Sequence, residues 1–100
     1  MLARLVLASA LALAACASPS WDYVPVVRGD AEGLTDAPEL ATPAHLDRAA
    51  HVLSYYGMPS ERVDGGLRVQ GEPPTREWLW NVTTKAEDPA WLRAHPPAGE

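Results

Sequence analysis

Apolar positions change their spacing along this chain, and each spacing names an element. Residues 5–12 (LVLASALA) are an unbroken run of apolar and small residues behind Arg4. From Thr42 the period becomes helical. At 100° per residue Leu46, Ala49, Ala50, Leu53 and Tyr56 share one side with Val52 at its edge, while Asp47, Arg48, His51 and Tyr55 lie opposite. Thr42 suits the N-cap and Pro43 the first helical position, where a missing N–H costs nothing. Gly57 suits the left-handed residue past the helix, Met58 after it can touch Leu53, and Pro59 blocks continuation. The helix should therefore end near Tyr56.

Two short runs follow, Glu61-Arg62-Val63 and Leu67-Arg68-Val69-Gln70, around Asp64-Gly65-Gly66, and predict a hairpin. A three-residue loop would set Val63 opposite Leu67 and put Val63, Leu67 and Val69 on one face, which is the register preferred here. A two-residue loop on Asp64-Gly65 would oppose Arg62 to Leu67 and mix the faces. The preferred register sets Arg62 opposite Arg68 on the wet side, a repulsion worth a fraction of a kcal/mol, about the scale of cross-strand pairs.

Residues 75–86 (TREWLWNVTTKA) carry two periods. Thr75 as cap, Glu77 in the first turn, Lys85 in the last and the recurrence of Leu79, Val82 and Ala86 favour a helix, whereas Trp78, Trp80, Val82 and Thr84 alternate as a strand would. The helix is preferred, with a third strand as the alternative. Asp88-Pro89 then opens a short turn through Trp91, Leu92 and His95 before Pro96-Pro97.

Residues 17–42 are rich in proline, glycine and acids and read as a tether. Within them Trp21-Asp22-Tyr23-Val24-Pro25-Val26-Val27 has strand composition, but Pro25 removes a ladder donor, so an edge strand and an extended linker both remain open. The expected fold class is α+β: a small single domain at 42–95, a helix packed on a β-hairpin and followed by a C-terminal helix, with a flexible tether at 16–41 and a frayed tail at 96–100.

The first apolar run has the architecture of a secretory signal at 1–15. Residues 5–15 would make only about 16 Å of helix, half a hydrocarbon core, so they do not read as a spanning segment. Leu13-Ala14-Ala15-Cys16 resembles the lipobox of bacterial lipoproteins. The resemblance implies cleavage before Cys16, a thioether-linked diacylglycerol on its sulfur, and a membrane partner reached through acyl chains. Two or three chains at about 0.8 kcal/mol per buried methylene hold a small domain firmly. Ala17 in place of aspartate resembles the outer-membrane sorting signal of enteric bacteria, implying an outer-membrane anchor facing the periplasm. The element order, with the stretch from Leu53 to Gly57 followed by a hairpin, also resembles the small modules of secretion-system ring lipoproteins, as a likeness of fold.

Charge narrows the partners. The chain has eight Lys+Arg against thirteen Asp+Glu, and loss of Arg4 with the signal would leave seven against thirteen. This balance does not favour nucleic acid or an anionic surface. Cys16 is the only cysteine, so no disulfide is expected to staple the domain. About fifty ordered residues without disulfide or metal are marginal alone, which points to an envelope protein or a second copy as partner.

Catalytic signals are sparse. His45 and His51, six residues apart, fall about 240° apart on a helix and cannot share a metal. Asp47 and His51 do share a face, which reads as a solvated polar face. No Gly-x-Ser-x-Gly or Ser-x-x-Lys pattern is present. No enzyme, cofactor or metal is expected. The unusual feature is Trp78, Trp80 and Trp91 within fourteen residues of a chain lacking phenylalanine. Trp78 and Trp91 suit a core. On a helix Trp78 and Trp80 diverge by about 200°, so one must face outward, as aromatic anchors and sugar platforms do. The expected function is that of a membrane-anchored envelope lipoprotein with a structural or protein-interaction role. The alternative is a module binding a glycan or small ligand through the three tryptophans.

Overall fold

The computed structural model describes residues 18–29 and 33–97. The segment expected to be a signal, the lipobox-like stretch with Cys16 and the last residues of the expected tail lie outside them. Among the described residues the order is β1 (Ser20–Asp22), β2 (Val26–Arg28), β3 (Leu34–Asp36), a 3-10 turn (Pro38–Leu40), α1 (Pro43–Tyr55), β4 (Ser60–Val63), β5 (Gly66–Gln70), α2 (Arg76–Ala86) and α3 (Pro89–Ala94). Strands β1, β5 and β4 form an antiparallel sheet with β5 central, and β2 pairs with β3 in a second antiparallel ribbon. The fold is α+β. Helix α1 packs on the three-stranded sheet and on α2, whose other side takes the β2–β3 ribbon.

Helix α1 obeys its end signals. The Thr42 hydroxyl accepts from the His45 N–H at 3.2 Å. At the other end Gly57 has φ of 81°, its N–H donates to the Ser54 carbonyl, and the Met58 N–H donates to the Leu53 carbonyl, each at 2.9 Å. That double closure satisfies two carbonyls that would otherwise be orphaned. The segment at 75–86 is the helix α2, capped by the Thr75 hydroxyl, which accepts from the Trp78 N–H at 3.2 Å. Capping decides against the strand alternative.

The core gathers Leu46, Ala49, Val52 and Leu53 from α1, Leu67 and Val69 from β5, Val82 and Ala86 from α2, and Tyr23 from the link between β1 and β2. Relative to the expected stripe, α1 is turned toward α2. His45 is buried and Tyr56 is exposed.

Two expectations are corrected. The stretch assigned to a tether at 16–41 is part of the fold wherever it is described: Trp21 pairs with Val69, Tyr23 and Val26 are buried, and the Tyr23 N–H donates to the Leu67 carbonyl at 2.9 Å. Pro25 does break the ladder. It sits between β1 and β2, so one apolar run serves two sheets.

The hairpin also takes the other register, with Arg62 opposite Leu67 and Val63 opposite Gly66 around the two-residue loop. Gly65 has φ of 73°, and no described non-glycine residue has a positive φ, the pattern of a turn that needs glycine only at its second loop position. Arg62 is on the edge strand β4, so its stem can run along the sheet face while the guanidinium reaches the Asp47 carboxylate on α1. On the opposite face Arg68 lies between Glu61 and Asp22. The observed register thus replaces an arginine pair by a row of alternating sign.

Candidate functional site

Polar side chains meet in the interior where α1, α2 and the β1–β2 link converge. The Tyr23 hydroxyl lies 2.9 Å from His45 Nε2 and 3.1 Å from Thr83 Oγ1. Thr83 donates to the Leu79 carbonyl at 2.8 Å and accepts from the Val26 N–H at 3.0 Å. On the outer side His45 Nδ1 donates to Glu87 at 2.5 Å, and Arg48 reaches the same Glu87 oxygen at 2.7 Å and the Ala86 carbonyl at 2.7 Å. The phenol has one proton and two neighbours, so it donates to one and accepts from the other.

The hydrogen bond from His45, then that from Arg48, holds the Glu87 carboxyl below its ordinary pKa, while burial pushes the Tyr23 phenol up to about 12. A carboxylate that orients an imidazole toward a hydroxyl is the arrangement used in nucleophilic catalysis. Here His45, Tyr23 and Thr83 are 1%, 4% and 3% exposed. No substrate reaches them in this conformation, and the chain of bonds acts as a clamp that ties the N-terminal segment to both long helices.

The clamp predicts a pH profile. The depressed Glu87 contributes stability that is present above its unfolded pKa of about 4.3 and is lost as pH falls through the folded value. The raised Tyr23 contributes stability present below its unfolded pKa of about 10 and lost as pH rises through about 12. Urea midpoints followed across pH should therefore decline at both limbs, and Tyr23→Phe should flatten the alkaline one.

Opposite the clamp, rings form a continuous surface around the C-terminal end of α1. Tyr56 meets Trp78 edge to face at 5.7 Å and Tyr55 at 5.1 Å, and Tyr55 meets Trp91 at 5.5 Å and His95 at 4.8 Å. Trp91 stacks on His95 at 4.3 Å, and His51 joins at 5.9 Å from Trp91. Tyr55 and Tyr56 are 54% and 44% exposed. Such pairs add about 0.5–1.5 kcal/mol beyond area burial, yet the two tyrosines leave much of their own surface in water.

The three tryptophans singled out by sequence do not form one cluster. Trp78 and Trp91 rest partly on the core and belong to the aromatic surface. Trp80 lies elsewhere, beneath Arg28 of β2, whose guanidinium carbon is 4.6 Å from the ring centroid. Trp78 and Trp80 do flank an open groove of about 320 Å³ that Thr75, Glu77 and Asn81 complete. A fourth, Trp21, lies against the core, and its indole N–H has no hydrogen-bond partner among the described residues.

Asp47 and His51 do not pair: Asp47 bonds to Arg62, and His51 Nε2 lies against the His95 carbonyl. Among the described residues no three His, Cys, Asp or Glu side chains group as metal ligands. The adjacent Tyr55 and Tyr56 at a helix end were the available signal for the aromatic surface. The burial of His45 had none, since its partners Tyr23 and Glu87 are 22 and 42 residues away. No family model, curated protein or solved structure matches the chain.

Proposed function

We propose that this chain is a lipid-anchored protein of the bacterial cell envelope, acylated at Cys16, with a structural or protein-interaction role. The observation that carries the reading is the aromatic surface of Tyr55, Tyr56, Trp78, Trp91 and His95, which presents exposed rings beyond what the core uses. The apolar run at 5–12 and the sequence Leu13-Ala14-Ala15-Cys16 support the anchor. The inaccessible clamp and the shallow grooves support contact in place of catalysis. Among the described residues no helix is long and apolar enough to cross a membrane, so the acyl chains are the attachment in this reading.

Replacing Cys16 by serine is expected to release the protein from the membrane fraction or leave the signal uncleaved. A variant that is cleaved normally and stays membrane-bound contradicts the anchor. A second reading, glycan or small-ligand binding, is favoured by the groove in which Trp78 and Trp80 flank the polar groups of Glu77 and Asn81. Saturable changes in tryptophan emission on addition of peptidoglycan fragments, abolished by Trp80→Ala, would support it.

A further inference from the structure

The clamp holds four contacts in a row, and each needs one proton. They run from Glu87 to His45 Nδ1, from His45 Nε2 to the Tyr23 hydroxyl, from that hydroxyl to Thr83 Oγ1, and from Thr83 Oγ1 to the Leu79 carbonyl. The carbonyl at the far end can only accept. The Thr83 proton therefore lies in that contact, which at 2.8 Å is shorter than the 3.1 Å to Tyr23. Thr83 Oγ1 already accepts from the Val26 N–H, and its remaining lone pair takes the phenol proton. Tyr23 has then given its proton to Thr83 and can only accept from His45. The proton between them belongs to Nε2, and Nδ1 donates to Glu87 at 2.5 Å, so both ring nitrogens carry hydrogen.

A neutral imidazole would bring three protons to these four contacts and leave two acceptor atoms facing one another inside the fold. The charged ring is 1% exposed, and burying a charge is costly unless a partner is held against it. Glu87 is that partner, fixed in turn by Arg48, and its half-exposed carboxylate lets water reach the pair from the outer side. Among the described residues the titratable and charged groups that meet His45 are Tyr23 from the β1–β2 link, Glu87 just past α2 and, through the same carboxylate, Arg48 one turn along α1.

We propose that His45 is held as an imidazolium at neutral pH and that its second proton gates the tie between the N-terminal segment and helices α1 and α2. Loss of that proton to water empties one contact of the row. If the phenol turns to donate to His45, no proton lies between the Tyr23 and Thr83 oxygens. If it keeps Thr83, none lies between Tyr23 and the imidazole. Either way the β1–β2 link loses a hold on the helices. The closed segment binds one proton more than the opened one, and a free imidazole gives its proton up near neutral pH. The tie is therefore full at mildly acidic pH and is lost as pH rises. The gate is independent of what Cys16 carries.

The test uses the full chain in detergent, labelled with nitrogen-15 in its histidine rings, with proton–nitrogen correlation spectra recorded at pH 7. Both ring nitrogens of His45, identified by their absence in His45→Gln, should carry hydrogen. Thr83→Val keeps the shape of the side chain and removes the acceptor of the phenol proton, so it should leave His45 with one ring proton. Thr83→Ser should restore the second. In the parent protein, protection of the Tyr23 and Val26 amides against hydrogen exchange should fall about tenfold per pH unit above neutrality, relative to the Leu53 amide of α1.

A single ring proton on His45 in the parent protein at pH 7 overturns the proposal, and this spectrum decides even where a variant does not fold. An imidazolium that persists in folded Thr83→Val overturns it as well. Protection of Tyr23 and Val26 that stays constant while His45 loses its second proton overturns the gate.

Discussion

Leu53→Ala should lower the unfolding free energy by about 2–5 kcal/mol, the range for deleting a buried leucine side chain with partial collapse of the cavity. Leu53 is wholly buried and belongs to the cluster shared by α1, β5 and α2. Its carbonyl also closes the helix by accepting from the Met58 N–H, and Met58 packs back onto the core. Removing the side chain therefore empties the centre of the domain, while the backbone closure by the residue-53 carbonyl is kept. Urea unfolding is the measurement. An unchanged midpoint would mean that α1 does not close this core.

Tyr23→Ala is the second large effect, expected at about 3–5 kcal/mol, the cost of deleting a buried aromatic side chain. The phenol ring is 4% exposed and stacks on His45 at 5.8 Å between centroids, so its loss leaves a cavity and strips both His45 and Thr83 of a partner. Tyr23→Phe keeps the ring and removes only the hydroxyl, and should cost about 1–3 kcal/mol, the penalty of a buried polar group left without its hydrogen bond. The pair separates packing from hydrogen bonding. A Tyr23→Ala variant as stable as the parent would return residues 18–28 to the role of a tether.

The helices were legible in the sequence because their ends are written locally. Thr42-Pro43, Thr75 and Asp88-Pro89 cap as they read, and Gly57 with Met58 closes α1 as the left-handed position requires. The N-terminal strands were not legible for a different reason. Three-residue strands with proline between them lack a period, and the pairing of β1 with β5 is decided by residues almost fifty positions away, while β2 turns to pair with β3. The hairpin register misled because alternation treats Arg62 as a polar face, whereas an edge strand lets a long stem cover apolar surface and deliver its charge to Asp47.

The candidate site divides in the same way. Tryptophan content drew attention to the right part of the chain and to Trp78 and Trp91, but grouped with them Trp80, which α2 carries to its other side under Arg28. The tyrosines that complete the aromatic surface were read as the end of a stripe and as polar-face residues. The exposure of Tyr56 follows from the turn of α1 toward α2, which buries His45 in its place, while Tyr55 is exposed as its polar-face position implies. Helical periodicity alone does not contain that rotation, because the hydroxyl that accommodates the imidazole comes from the β1–β2 link.

The proposed membrane anchor depends on what is attached at Cys16, and the mass of the amino-terminal peptide of the mature protein reads it directly. The account predicts a peptide that begins at Cys16 and carries diacylglycerol on the sulfur. An unmodified Cys16, or an amino terminus at any other residue, would contradict it.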